Sequence, residues 1–386
     1  MYAKRIKSLP PYLFAEIDER KREVEKKGVD IIDLGIGDPD LPTPPHIVEA
    51  VCNAAKDPAN HRYPSYEGLL SFREAVAAWY KQTKHVTVDS EDEVLTLIGS
   101  KEGIAHSPFA FLDPGDIALV PDPAYPVYNN ATVLADARPY PVPLTEEHEF
   151  KPDLESIDGE IARKAKIMFL SYPNNPTAAT VEESFFKEVV DFAHDHDIIV
   201  LHDNPYSELT FDDYEAPSFM AVEGAKEVGI EFGSLSKTYN MTGWRIGFAA
   251  GNAEILNGLG RVKTNVDSGT FQAVQIAGIA ALTGSQDCVK RNVAIYRERR
   301  DILADGLSSA SMDVKKPKAT FYLWVKVPSG FSSIRFSMSL LERAGIVVTP
   351  GIGFGKYGEG FVRFALCVSA ERLMEACERL KGLNLS

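Results

Sequence analysis

The sequence predicts an α/β protein: a large lobe with a mostly parallel sheet flanked by helices, plus a smaller α+β lobe. Three observations carry this. Short apolar runs such as VLTLIG (94–99), IALVPDP (117–123), KIMFLSYP (166–173) and DIIVLH (197–202) alternate with segments of helical periodicity. Strands covered by helices on both faces read this way, without polar alternation. The second observation is length: 386 residues fit two domains better than one. The third is composition, 45% hydrophobic and 25% charged, which buries a sizeable core without disulfides or metals to staple it.

The elements follow in chain order. Residues 11–27 read as a charged amphipathic helix stopped by Gly28. DIIDL (30–34) is a short strand leading into the glycine-rich turn GIGDPD (35–40). Leu69, Leu70, Phe72, Val76 and Trp79 share one helical face. VLTLIG is a buried strand, and SKEGIAHSPFAFL follows it as a helix. After the strands at 117–123 and 166–173 come the helix EESFFKEVVDFAHDH (182–196) and the strand within DIIVLHDNPY (197–206). A long helix over about 286–309 opens the smaller lobe. Strands ATFYLWV, IVVTP and FVRFALCV and a last helix from Ser369 complete it. No Gly/Ser-rich linker separates the lobes, so the hinge is expected inside helices around 270–300. The expected division is an N-terminal arm with part of the small domain over 1–40, a large domain over 41–285 and a small C-terminal domain over 286–386.

Charge and targeting signals exclude several classes. There are 41 Lys and Arg against 55 Asp and Glu, a net charge of −14. Phosphate backbones and anionic lipids repel such a surface, so neither nucleic acid nor membrane is an expected partner. The N-terminal MYAKRIKSLPPYLF has basic residues but no apolar stretch of a secretory signal. No run approaches the ~20 apolar residues of a membrane-spanning helix. A cytoplasmic protein is expected. Cys52, Cys288, Cys367 and Cys377 form no CxxC pair and read as reduced, mostly structural thiols. His194 and His196, in an HDHD run, read as a solvated helix end rather than a metal site, because no further ligands lie nearby. No metal is expected. If the substrate is anionic, some local arrangement must overcome the acidic field.

In open α/β sheets, ligands sit beyond the carboxyl ends of the strands. The distinctive polar residues cluster at such ends. Ser100 and Lys101 follow VLTLIG, Tyr125 follows IALVPDP, and Asn175 follows KIMFLSYP. Asp203 and Tyr206 follow DIIVLH, and Ser234, Ser236 and Lys237 follow GIEF. Any one could be punctuation, since Pro-Asn-Asn-Pro is a good turn by itself. Repetition at strand end after strand end is harder to explain as turns alone. Lys237 sits in SLSKTYNMTGWRIG (234–247). It is either a solvated loop lysine or a Schiff-base lysine whose neighbours hold a phosphate. In the second reading the hydroxyls of Ser234 and Ser236 and the fork of Arg245 serve the anion. The N–H groups at the helix start Ser100–Lys101 add to them.

The series GIGDPD, YPSYEG, GSKEG, YPNNPT, HDNPYSE, SLSKTYNMTGWRIG and FVRFAL spans nearly the whole chain in order. It resembles the fold-type I pyridoxal phosphate aminotransferases, class I/II. Within that family it is most similar to the LL-diaminopimelate aminotransferases, through IKSLPPYLFAEID, HRYPSYEGLLSFREAVA, TLIGSKEGIAH, DSGTFQAVQ and KPKATFYLWV. Two positions depart from the family pattern. Ala178 takes the place of the glycine in NNPTG, and Pro205 that of the small residue usual near the strand-end aspartate. Neither removes a reactive group.

The resemblance implies the cofactor pyridoxal 5′-phosphate and a role for each residue. Lys237 is expected to hold the cofactor as a Schiff base and to act as general acid/base. Asp203 is expected to pair with the pyridine nitrogen, Tyr206 and Asn175 to bond the phenolic oxygen, and Tyr125 to lie against the ring face. Ser100, Lys101, Ser234, Ser236 and Arg245 are expected at the phosphate. Tyr63 is expected to reach the neighbouring subunit's phosphate in a homodimer with active sites at the interface. Arg363 is expected to clamp the α-carboxylate, for which a bidentate fork suits better than lysine. Tyr12, Gly37, Lys101, Tyr125 and Asn175 complete the substrate set. Glu67, an acid beside the tyrosine block, is either a contact for a distal substrate ammonium or an ordinary exposed helix-start glutamate. The implied substrates are small amino and 2-oxo acids. The implied reaction converts LL-2,6-diaminopimelate and 2-oxoglutarate to tetrahydrodipicolinate and L-glutamate, in lysine biosynthesis. Another class I/II aminotransferase (alanine, aspartate or aromatic) stays open on the same motifs. A cofactor-binding regulatory domain is the alternative of another class. It would need a basic DNA-binding extension, and only about thirty residues precede the first strand.

Overall fold

The computed structural model describes residues 1–9 and 13–383. Twelve strands are present among them. They are β1 (Ile32–Asp33), β2 (Val94–Leu97), β3 (Ile117–Asp122), β4 (Arg138–Pro143), β5 (Ala165–Leu170), β6 (Ile199–Asp203), β7 (Gly229–Ser234), β8 (Gly247–Gly251), β9 (Tyr322–Lys326), β10 (Ile346–Val347), β11 (Thr349–Pro350) and β12 (Phe361–Ala365). Seven form one sheet in the order β2-β8-β7-β6-β5-β3-β4. All neighbours are parallel except β8, which runs antiparallel to β2 and β7.

Successive side chains of a strand point to opposite faces. An unbroken apolar run therefore feeds two cores at once. In β5, Met168 and Leu170 join one cluster while Ile167 and Phe169 join another. In β6, Val200 and Leu201 divide in the same way. The first face is covered by Phe72, Val76 and Trp79 of helix Leu70–Thr83 and by Phe185, Phe186 and Val189 of helix Glu183–His196. The second is covered by Ile104 of helix Ser100–Phe111 and by Ile255, Leu256 and Leu259 of helix Ala253–Val266.

A further core gathers Leu323 and Val325 of β9, Val362 and Phe364 of β12, Phe336, Leu340 and Leu373. Its sheet is antiparallel, in the order β11-β12-β9. The N-terminal β1 joins this region by pairing parallel with β10. Helix Asp287–Ser309 ties the regions together: Cys288 and Val289 lie in the first core, Tyr296, Leu303 and Leu307 in the further one.

The structure differs locally from the sequence reading. The helix expected at 11–27 spans Leu13–Glu25, with a five-residue helix Lys4–Ser8 before it. IVVTP divides into β10 and β11, which pair with different strands. β4 and β8 carry weak strand signals. RPYPVP holds three prolines, tolerated because β4 is the sheet edge. GFAAG is poor in β-branched residues, and it is recruited by pairing on both sides. The HDHD run ends helix Glu183–His196, with Asp197 in the left-handed cap position (φ 57°) and His194 exposed. Among the described residues, no helix is long and apolar enough to cross a membrane.

Candidate active site

β3, β5, β6 and β7 run parallel, so their carboxyl ends open on one edge of the sheet. Asp203 is the last residue of β6, and only 5% of it is exposed. Its Oδ2 accepts a hydrogen bond from the Tyr128 hydroxyl at 2.7 Å, while Oδ1 is buried without a partner. Burial lifts its carboxyl to about 6, against the opposing pull of the Tyr128 bond, His202 and Lys237.

Lys237 lies in the short helix Leu235–Thr238 that follows β7. Its Nζ donates to the Gly37 carbonyl at 3.1 Å and sits 5.6 Å from the Phe321 ring centre. Burial pushes its amine below the usual lysine range; Arg363 and Arg245 act in the same direction, while Cys367 and Asp38 oppose it. Gly37 must be glycine here. A Cβ would come 1.9 Å from the Tyr322 hydroxyl.

Arg363, on β12, is 6% exposed. Its guanidinium donates to Asn175 Oδ1 at 2.7 Å and to the Gly35 carbonyl at 2.8 Å. It packs over the rings of Tyr322 (4.1 Å) and Phe354 (4.7 Å). Its Nε has no partner. These acceptors are neutral. The Tyr206 and Tyr322 hydroxyls meet at 3.2 Å in the same buried group. Burial, before any other influence, holds both phenols above their usual range. The turn at 35–40 that serves Lys237 and Arg363 is itself anchored. Thr349 Oγ1 donates to the Gly35 carbonyl at 2.9 Å, and the Arg299 fork grips Asp40 at 2.6 and 2.8 Å.

A second feature is a cradle of bare backbone. Gly99 (φ 76°) precedes helix Ser100–Phe111, and Gly247 pairs with both Leu97 and Ser234. A Cβ at Gly247 would lie 2.8 Å from the Ser100 nitrogen, and one at Gly99 would meet Arg245 at 2.4 Å. Ser100, Ser234 and Arg245 therefore converge where no side chain fits. Ser234 Oγ accepts from the Ser236 N–H at 3.2 Å, and Ser236 is buried. Arg245, itself exposed, donates to the Thr242 and Ile98 carbonyls. Lys101 is exposed, with Nζ 5.6 Å from the Tyr125 ring centre, and Tyr125 meets Tyr128 edge-on.

Two predicted residues stand apart from this group. Tyr63 is 85% exposed. Glu67 is exposed as well, its carbonyl held by the Thr96 N–H at 3.0 Å. Tyr12 lies outside the described residues. The sequence reading missed Tyr128, Tyr322 and Phe321, the neighbours of Asp203, Arg363 and Lys237. A polar-tipped ring inside an apolar strand, as Tyr322 is in ATFYLWV, was the available signal. One cluster with metal-ligand spacing, Glu102, His106 and Asp267, lies elsewhere among the described residues. The buried Lys263 ammonium donates to Glu102 and Asp267 at 3.3 and 2.8 Å and supplies the positive charge there.

The residues present fit pyridoxal phosphate. Asp203 Oδ1 is a buried carboxylate oxygen in want of a donor, and a ring N–H is one. The cradle at Gly99 and Gly247 offers a helix N-terminus, two serines and an arginine to a dianion. Lys237 brings a burial-weakened amine between them.

Comparison with known proteins agrees with this fit. The family model for aminotransferases of class I and II matches residues 29–380. An LL-diaminopimelate aminotransferase of Moorella thermoacetica is 56% identical, covering 98% of this chain and 97% of its own. One from Syntrophobacter fumaroxidans is 57% identical, covering 99% and 98%. A substrate-bound BacF structure from Bacillus subtilis superposes with a TM-score of 0.96 at 40% identity, covering 100% of this chain and 98% of that one. The fold is that of the fold-type I enzymes. The chain belongs to the class I and II aminotransferases, which work with pyridoxal phosphate.

Proposed function

We propose that this chain is an LL-diaminopimelate aminotransferase. It exchanges the amino group of LL-2,6-diaminopimelate with 2-oxoglutarate, yielding tetrahydrodipicolinate and L-glutamate for lysine biosynthesis. The observation that carries the carboxylate chemistry is Arg363. It is a buried guanidinium with neutral acceptors and aromatic rings around it, and among the described residues it has no carboxylate partner. A buried charge without a counter-charge is costly, and a substrate carboxylate relieves that cost. The choice of donor rests on the relatives named above, which match the chain nearly end to end.

Pyridoxal phosphate, when bound, supplies the electron sink that takes up charge when the substrate Cα loses its proton. The chain's own residues do the rest. Lys237 would hold the cofactor and carries the proton at Nζ; burial weakens its basicity and so favours the neutral amine that accepts that proton. Asp203 presents Oδ1 to the ring nitrogen. Tyr206 and Asn175 would bond the phenolic oxygen, and Tyr125 would back the ring. Ser100, Lys101, Ser234, Ser236 and Arg245 hold the phosphate. Arg363 orients the α-carboxylate, with Asn175 and the 35–40 turn orienting Arg363. Tyr12, Gly37 and Lys101 line the remainder of the substrate site. This work is divided between a large domain (41–285) and a small one (286–386, joined by part of 1–40).

We further propose a cytoplasmic homodimer. Tyr63 (85% exposed), Tyr66 (48%) and Phe271 (44%) are large rings open to solvent. Phe271 lies against His61, and Gln272 donates to the Arg62 carbonyl, so the segments form one patch. Such a patch suits a second copy of the chain, with Tyr63 reaching its phosphate site. Light scattering of the holoenzyme is expected to give twice the subunit mass, and Tyr63→Phe to weaken cofactor binding at unchanged mass. A monomer at micromolar concentration would overturn the dimer.

The donor is tested by initial rates with 2-oxoglutarate and LL-diaminopimelate, meso-diaminopimelate, aspartate, alanine or phenylalanine. LL-diaminopimelate is expected to lead in kcat/KM by about 10²-fold or more, as pockets that pair polar groups discriminate strongly. Aspartate, alanine or phenylalanine in first place would replace this reading with another aminotransferase.

A further inference from the structure

Behind Asp203 lies a buried pair that neither the reaction nor the cofactor fit has used. His202 and Glu231 are direct neighbours across β6 and β7. Alternation turns His202 to the sheet face opposite Asp203, where it packs against Phe186 (4.9 Å) and Phe219 (6.1 Å). Both residues are buried, at 0% and 2% exposure.

Every polar atom of the pair is engaged. Glu231 Oε1 accepts from the Tyr80 hydroxyl (2.9 Å) and Ser218 Oγ (3.0 Å). Oε2 accepts from the Phe219 N–H (2.9 Å) and contacts His202 Nδ1 at 2.9 Å. Burial acts to raise the Glu231 carboxyl, but these bonds, His202 foremost, bring it below the usual range. An ionised carboxylate this deep needs a positive charge. His202 is its one ion-pair partner among the described residues. The second ring nitrogen, Nε2, lies 3.2 Å from the Tyr172 carbonyl, an acceptor for the second proton of an imidazolium. It also lies 3.3 Å from the Tyr172 N–H, which would serve a neutral ring.

We propose that His202, clamped by Glu231, is a positioning residue for Asp203: its charge and its hold on the end of β6 keep that carboxylate ionised and aimed at the cofactor. The two residues are consecutive, so their Cα atoms are about 3.8 Å apart. The other charged or titratable groups facing Asp203 are Tyr128, Lys237 and Tyr206, and those facing Glu231 are Tyr80 and His202. Burial already lifts Asp203 to about 6, and His202 works against that rise. Without His202 the rise continues, and the Asp203 carboxylate takes up its proton at higher pH. This inference rests on Asp203 facing the ring nitrogen.

The test is the pH dependence of cofactor affinity in His202→Gln, measured with the cofactor's visible absorption as readout. As pH falls, affinity is lost when Asp203 protonates. The midpoint of that loss is expected to move up by about one pH unit, and affinity near the wild-type midpoint to fall about fivefold. Above pH 8 the variant should match wild type. A profile superimposable on wild type, or a loss equal at every pH, would overturn the proposal. Should His202→Gln fail to fold, His202→Asn, which also removes the ring and leaves Glu231 in place, carries the same expectation. Asp203→Asn is measured alongside. If it leaves the acid loss in place, the reading of Asp203 itself fails. If it removes the loss while the His202 variants do not shift it, only the role of His202 fails.

Discussion

Lys237→Ala is expected to lack the visible absorption band of the lysine-bound cofactor and to lose at least about 10⁴-fold in transamination rate. Two functions disappear with one side chain. The amine at 3.1 Å from the Gly37 carbonyl is the covalent tether, and it is also the base that moves the proton. The surrounding fold has little reason to change, since Leu235, Ser236 and Thr238 are buried and carry the packing of the short helix. Circular dichroism should therefore match wild type. Absorption spectra and single-turnover assays with LL-diaminopimelate check the result. Normal turnover would remove Lys237 from the mechanism altogether.

Arg363→Lys is expected to lower kcat/KM for LL-diaminopimelate and for glutamate alike, by about 10²–10⁴-fold. The charge survives but the fork does not. A guanidinium donates to Asn175, to Gly35 and to a substrate carboxylate at once, and an ammonium on a shorter reach cannot. Hydrogen bonds to charged groups are worth about 1.5–3 kcal/mol each, and two such losses give the stated range. The effect should fall on substrates with an α-carboxylate. A simple alkylamine, slow with wild type, should react at the same rate with the variant, and the cofactor absorption should be unchanged. Equal losses for the amine and the amino acid would argue that the substitution distorts the site instead of removing a carboxylate contact.

The sheet was legible because its chemistry is local. Runs such as KIMFLSYP and DIIVLH have one physical use in a chain of this size, as strands buried on both faces. β4 and β8 were not legible, because prolines and small residues become strands there only through their neighbours. The polar residues at the strand ends announced a site, and the family resemblance gave each a role. Their partners were hidden. Nothing in the spacing of Tyr128 from Asp203, 75 residues apart, or of Asn175 from Arg363, 188 apart, marks them as contacts.

The net charge of −14 describes the protein's outer field and excluded polyanionic partners as the default. It did not describe the site. Lys237, Arg245 and Arg363 come together there against Asp203, and Lys101 stands at its side over Tyr125. Composition sums over the chain, whereas a binding site depends on which charges meet. The sequence by itself determined the α/β architecture, the strand-end polar residues and, through its motifs, the family. Only the tertiary structure decided that Arg363 is buried among neutral acceptors, that Gly37 must leave room for Tyr322, and that His202 and Glu231 stand behind Asp203. Strand runs are set by residues adjacent in the chain. Those three facts depend on atoms within about 4 Å that lie tens to hundreds of residues apart, and only chain folding brings them together.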